Sequence, residues 1–379
     1  MREYTAPGVF VEEIPSSGHS IAGVSTSTTA FVGPTLLSGS DEPVASFSDF
    51  QRQFGGLDDL TTIDGSTLNY IAHAARAFFD NGGRKLYVAR VEPEANAESY
   101  GAALDALYQF DDISLIAAPG SSARGDAAQI QQALIDHVEH AADHDRYRLA
   151  ILDSPPQATV AEVSSIRSGI NSSRAALYYP WVTIDETGVP VQLPPSGFVC
   201  GIMARVDIER GVWKAPANEV LRGASGLQVE LNDVEQQPLN AAGVNCIRAF
   251  TGRGILLWGA RTVSSDSDWK YVNVRRYALY LEQSLSQGLQ WAVFEPNGEQ
   301  LWANVRRAVQ DFLISEWRKG ALMGLKPDEA FFVHCDRATM TQNDLDNGRL
   351  VVEVGIAPLK PAEFVIIRIG LWTASCPNC

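Results

Sequence analysis

Three histidines, His137, His140 and His144, fall at i, i+3 and i+7, the spacing that turns all three to one face of a helix. Imidazole is a common ligand of zinc and other transition metals, so that face is a candidate metal site. Three ligands from one helix rarely close a coordination shell, and Asp136, Glu139, Asp143 and Asp145 crowd around them. The plainer reading is a solvated polar surface. Cys376 and Cys379 form a C-x-x-C at the C-terminal end, half of a zinc site with no second cysteine or histidine pair beside it. Cys200, Cys246 and Cys335 are widely spaced, and an odd total of five is not a disulfide framework. Signatures of nucleotide binding and acyl transfer are missing: no G-x-G-x-x-G, P-loop or G-x-S-x-G occurs. The expectation is a protein without catalytic, cofactor-binding or metal residues. An α/β enzyme that holds a ligand or metal at its strand ends is the alternative from another class.

Whatever the chain does, its charge narrows the partners. Formal net charge is −15, which repels phosphate backbones and argues against nucleic acid. Apolar residues make up 45% and charged residues 20%, ordinary for a globular chain. No stretch approaches the roughly 20 apolar residues of a membrane helix. No apolar run follows Met1-Arg2-Glu3-Tyr4-Thr5, so synthesis and folding in the cytoplasm are expected.

The elements that must position any site alternate. Strands are expected at Ala30–Val32, Lys85–Val91, Ser114–Ala118, Arg148–Leu152 and Ala175–Tyr179. Helices are expected between them: through Leu68, Ile71, Ala75 and Phe78, then Ser99–Phe110, Asp126–Ala142 and Val160–Ile170. That alternation predicts a mostly parallel sheet with helices on its faces. Residues 185–197, rich in Pro and Gly, read as a long loop, Ser196–Arg210 as a helix, and 213–240 as irregular. Further on come a strand at Ile255–Trp258, a helix over Tyr271–Ser286 and a strand at Trp291–Phe294. A helix follows from Asn297, its N-cap, with Gln300 reaching back and Gly320 as its stop; strands follow at Phe331–Val333 and Leu350–Ile356.

Both ends depart from this pattern. Val9-Phe10-Val11-Glu12 is a β-prone run between Pro7 and Pro15 with no hairpin partner nearby. Phe364-Val365-Ile366-Ile367-Arg368-Ile369, beyond the stiff Pro358–Pro361 elbow, is apolar on nearly both faces and wants neighbours on every side. Such strands either fold back on their own sheet or pair with another chain. The expected organisation is a mixed α/β fold: an arm at 1–20, an α/β domain at 21–210, a second α/β domain at 211–358 and an arm at 359–379.

Several longer stretches carry a family likeness: Tyr4 to Glu13 with Ile21 to Thr28, Trp213 to Asn218, Asn240 to Asn245, Trp258 to Thr262, Trp269 to Arg276, Phe294 to Asn297 with Leu301-Trp302, and Ala357 to Phe364. In that order they resemble the contractile tail sheath family of phage tails, R-type bacteriocins and extracellular contractile injection systems. The clear likeness covers the first thirty or so residues and roughly 213–371; residues 35–210 share only α/β character. The resemblance implies a non-enzymatic subunit of six-fold rings stacked helically around an inner tube protein. Baseplate and terminal cap proteins are further implied partners, within a particle assembled in the bacterial cytoplasm and released from it. It implies that Val9, Phe10, Val11 and Glu12, and Phe364 to Ile369, are strands exchanged between subunits, and that the C-terminal domain is the sheath core. It also implies that a helix of that core touches the tube, largely through charge. On the 297–319 helix, Arg307, Asp311, Ile314 and Arg318 share the face opposite the apolar stripe and are the candidates, with a plain solvated face as the alternative. The short chain is closer to the bacteriocin and injection-system members than to the larger phage sheaths.

Overall fold

The computed structural model describes residues 19–63, 65–144 and 146–368. Among them the chain forms two units, 23–283 with 358–368, and 19–22 with 284–357. The larger unit is built on strands whose side chains are buried on both faces. Thr29–Pro34 (β1) leads through Phe47–Phe54 (α1), Leu60–Thr62 (β2), Gly65–Thr67 (β3) and Tyr70–Asp80 (α2) to Leu86–Val91 (β4). Ala97–Ala106 (α3), Leu115–Ala117 (β5), Ala127–His140 (α4), Leu149–Asp153 (β6), Val160–Ser168 (α5) and Ala175–Tyr179 (β7) continue the alternation. Then come Val182–Glu186 (β8), Val189–Leu193 (β9), Ser196–Glu209 (α6), Glu219–Val220 (β10), Gly226–Leu227 (β11) and Asp233–Ala242 (α7). Val244–Phe250 (β12), Gly254–Trp258 (β13) and Val272–Gly288 (α8), whose residues from Ser284 on belong to the smaller unit, follow.

Eight strands make one sheet in the order β10-β13-β12-β7-β6-β5-β1-β4. From β4 to β12 every pairing is parallel, and β13 and β10 add antiparallel at the far edge. Strand alternation divides the interior. Phe31, Leu115, Ile151 and Tyr178 face one core with α1, α2 and α6, whereas Val32, Ile116, Leu152 and Leu177 face the other with α3, α4 and α5. The mixed α/β class expected from the alternation is therefore what forms. Close approach of α2 and α6 is set by Gly197 and Gly201, one turn apart. A Cβ on Gly197 would lie 2.7 Å from the Ala74 Cα, and one on Gly201 would lie 2.5 Å from the Phe78 carbonyl oxygen.

The smaller unit contains Glu299–Arg318 (α9), Pro327–Ala330 (α10), Phe331–His334 (β14), Gln342–Asp346 (α11) and Glu353–Ile356 (β15). β14 and β15 form a two-stranded antiparallel sheet. Leu301, Trp302, Val305, Cys335 and Met340 are buried together in its core.

Several expectations give way here. The 185–197 stretch is a hairpin of β8 and β9 and not a loop: Thr187 and Gly188, both at positive φ, make the two-residue turn, and Pro190 lies on the strand. Within 213–240, α7 forms because Asn232 and Glu235 build a capping box. Trp291–Phe294 is no strand; Gln290–Ala292 is a single 3₁₀ turn and Phe294 sits at φ 67. Gly298, not Asn297, is the N-cap of α9, since the Asn297 amide donates to the Arg349 carbonyl and its oxygen accepts from the Trp302 indole. The last strand begins at Glu353, three residues later than expected. The sheet also runs across the boundary placed at 210, because β12 pairs with β7, so the units divide at 283/284.

Gly201→Ala is expected to lower the midpoint of urea unfolding. Overpacking costs about 1–3 kcal/mol, against about 1 kcal/mol gained in helix propensity. An unchanged midpoint would show that the two helices relax apart freely.

Candidate assembly surfaces

The strand ends are the natural place for a ligand in this topology. A cavity of about 270 Å³ does open at the C-terminal ends of β5 and β6, lined by Ala118, Ser121, Gln131 and Asp153 among others. Its one carboxylate is already engaged. Both Asp153 oxygens accept from Ser196, at 2.8 Å from the backbone N–H and 2.6 Å from the hydroxyl. Burial pushes the Asp153 carboxyl up to about 7, against the opposing pull of the Ser196 hydrogen bonds. Beside it Tyr70 packs edge-on to Trp181 at 5.6 Å, and a Cβ on Gly120 would meet the Tyr70 ring at 2.4 Å.

His137 and His140 are engaged separately. Arg148 donates from Nη1 to His137 Nε2 at 2.8 Å, and the His137 ring stacks on Tyr108 at 4.3 Å. His140 is exposed and its Nδ1 lies 2.8 Å from the Asp136 carbonyl. Among the described residues no group of three or more His, Cys, Asp or Glu is placed to hold a metal. Cys200, Cys246 and Cys335 are buried free thiols; Cys376 and Cys379 lie outside the described residues.

The informative geometry is at the roots of the two terminal segments. Glu363 accepts from Arg261 through both carboxylate oxygens, with Nε at 2.8 Å, and from the Tyr271 hydroxyl at 3.2 Å. These hydrogen bonds and the Arg261 charge hold its carboxyl below the usual range against the desolvation that raises it. Asn273 donates to the Leu359 carbonyl at 2.9 Å. Beyond Glu363 the anchoring stops: Phe364 is 73% exposed and Val365, Ile366 and Ile367 about 80%. Residues 364–368 pair with no strand among the described residues. At the other end Thr26 donates from its hydroxyl to Asp207 at 2.6 Å. Arg276 donates twice to Asp207, at 2.8 and 2.6 Å, and once to the Thr26 carbonyl at 2.9 Å. Arg276 and Asp207 are both buried. Val9, Phe10, Val11, Glu12 and Ile369 lie outside the described residues.

On α9, Arg307, Asp311 and Arg318 are exposed and Ile314 is half-buried, while Leu301, Val305, Ala308, Val309, Phe312 and Leu313 are buried. Glu316 falls in the buried stripe and accepts from Lys319 Nζ at 2.6 Å. Sequence reasoning missed the pairings Arg261–Glu363 and Arg276–Asp207, although both arginines stand in stretches that carried the family likeness.

Comparison with known proteins agrees with this geometry. Residues 94–263 match the phage tail sheath protein central domain, and 264–371 the phage tail sheath C-terminal domain. The fold matches the helical sheath of the anti-feeding prophage in its contracted state, with TM-score 0.78 and 32% identity over 97% of this chain and 99% of that one. It matches the contracted sheath complex of an extracellular contractile injection system, PVC, with TM-score 0.77 and 29% identity over 98% of both chains. A putative prophage major tail sheath protein of Pseudomonas aeruginosa (strain UCBPP-PA14) is 29% identical over 71% of this chain and 67% of its own length. The chain belongs to the phage tail sheath family, and it is a structural sheath subunit.

Asp153 gives a pH prediction. Its folded pKa, about 7, lies above the usual unfolded value of about 3.9. The native state therefore holds the proton more tightly, and this contribution is complete below the unfolded value and lost as pH rises toward the folded one. Asp153→Asn keeps the shape without the titration. Urea unfolding of variant and parent between pH 4 and 7.5 is expected to show the variant gaining on the parent as pH rises; parallel curves would contradict the assignment.

Proposed function

We propose that this chain forms the contractile sheath of an extracellular injection particle: rings of six subunits, stacked helically around an inner tube, that shorten to push the tube through a target envelope. The observation that carries the reading is the match along nearly the whole chain to contracted sheaths of this particle class. Similarity favours the injection system over a phage tail: the chain is 32% identical to the anti-feeding prophage sheath over 97% of its residues, but 28% and 22% identical to the tail sheath proteins of Burkholderia phage BcepMu and Escherichia phage P2 over 57% and 55%. The sheath of a phage tail or an R-type bacteriocin is the second reading, supported by the prophage relative. No catalysis is involved. Contraction proceeds because the shortened state gains contact, and at roughly 25 cal/mol per Å² a few hundred Å² per subunit is ample work.

In this reading the terminal arms, Val9 to Glu12 and Phe364 to Ile369, add as strands to neighbouring subunits and keep the rings linked during contraction. Four apolar residues of 364–367 standing in solvent support that role, since such a run finds stability only by covering itself. The two-stranded β14–β15 sheet is short and supports it as the acceptor, because a pair of strands is marginal alone. Arg307, Asp311, Ile314 and Arg318 of α9 face the inner tube. Exposed charges make weak contacts, and weak contacts suit a surface that must release the tube. Baseplate and terminal cap proteins complete the particle, which assembles in the bacterial cytoplasm and acts outside the cell.

Negative-stain microscopy tests the arm reading: full-length protein is expected to form hollow cylinders, and chains lacking 1–18 or 364–379 only rings or monomers. Cylinders from both truncations would sink it. Co-assembly tests the tube face. Arg307→Glu with Arg318→Glu is expected to reduce sheath growth on the cognate tube while leaving tube-free cylinders intact; equal growth on the tube would remove α9 from that role.

A further inference from the structure

Helix α8 carries three residues at i, i+3 and i+7, Asn273, Arg276 and Tyr280, which helical geometry puts on one stripe. Each of them touches the root of a terminal segment. Asn273 donates to the carbonyl of Leu359, on the C-terminal side, and to that of Trp213 at 2.8 Å. Arg276 donates to the carbonyl of Thr26, on the N-terminal side, while pinned to Asp207. Tyr280 closes against Gly23, where a Cβ would lie 2.0 Å from the phenol oxygen, so only glycine lets the segment pass that close. The residue just before the helix, Tyr271, adds its hydroxyl to Glu363, the last anchored position of the C-terminal segment.

We infer that this stripe is a mechanical coupler joining the two arms. The inference rests on the proposal that the arms are exchanged between subunits. A pull on the N-terminal segment passes His19, stacked on Trp291 at 3.9 Å, and the Ser25 carbonyl, held by the Ser114 hydroxyl, before it arrives at Thr26, and a pull on residues 364–379 arrives at Glu363 and Leu359. The donors that meet the two carbonyls, on Asn273 and Arg276, stand three residues apart, about 4.5 Å along a helix rising about 1.5 Å per residue. Tension entering by one arm leaves by the other through a single turn of α8, in parallel with the bonds that the Ser25 and Thr28 carbonyls accept from Ser114 and Leu115 at the start of β5. The chemistry suits a load. Arg276 and Asp207 are both buried and bidentate, so separating them exposes two charges to an interior where, among the described residues, Thr26 is the one other side chain bonded to Asp207. The Arg261 clamp on Glu363 is likewise bidentate. Placing both anchors on one helix gives a mechanical reason for Trp269 to Arg276 to be one of the stretches that carry the family likeness.

Optical-trap pulling of the isolated full-length subunit by its two ends tests the coupler without needing assembly. Asn273→Ala removes the Leu359 anchor and Arg276→Lys loses the bidentate fork. Each is expected to shift the first rupture to lower force, with a short release matching the freed root, while circular dichroism shows the body folded. First ruptures at the parent's force in both folded variants would overturn the inference. If Arg276→Lys fails to fold, Asn273→Ala, which deletes only a neutral amide, decides alone. The outcomes separate cleanly from the arm reading: cylinders formed by arm-truncated chains would remove the exchange, whereas the trap reports on the anchors whether or not arms are exchanged.

Discussion

Two opposite charges removed from water must find each other, and the Arg276–Asp207 pair does so where α6, α8 and the segment before β1 meet. A buried ion pair adds little net stability compared with a well-packed apolar pair, but breaking one partner away is costly. It therefore acts as a constraint of position. With Arg276 held, the stripe of α8 is fixed in rotation, Asn273 faces the Leu359 carbonyl and Tyr280 faces Gly23. The places where the two terminal segments leave the larger unit follow from that one interaction.

A second constraint governs what lies beyond the roots. Phe364 to Ile367 stand in solvent without strand partners among the described residues, immediately after a residue held by three side chains, Arg261, Tyr271 and Lys270. The contrast between a tightly held Glu363 and an uncovered apolar run is hard to place in a monomer and natural in a polymer. Membership of the sheath family supplies the polymer. The cavity at the strand ends has its carboxylate taken by Ser196, and His137 is occupied by Arg148.

The parallel sheet was legible in the sequence because its strands are short apolar runs separated by helices with clear periodicity; β1, β4, β5, β6 and β7 stand where the pattern puts them. The β8–β9 hairpin was not, because Pro190 and Gly188 carry loop chemistry and only pairing reveals them as strand and turn. Trp291 to Phe294 looked β-prone from its aromatic and branched residues, yet the local chain turns instead. The ion pairs were out of reach for a different reason. Arg276 and Asp207 are 69 residues apart and Arg261 and Glu363 are 102 apart, and no local rule joins charges at such separations. What the sequence did offer there was family likeness, which marked the stretches without saying which atoms meet.

A helical cryo-EM reconstruction of cylinders assembled from the full-length chain reads the proposed sharing of strands between subunits directly. Continuous density for residues 364–367, leaving one subunit after Glu363 and lying as a strand along the β14–β15 edge of a neighbour, is the predicted result. Density that turns back and pairs within the same subunit would contradict it.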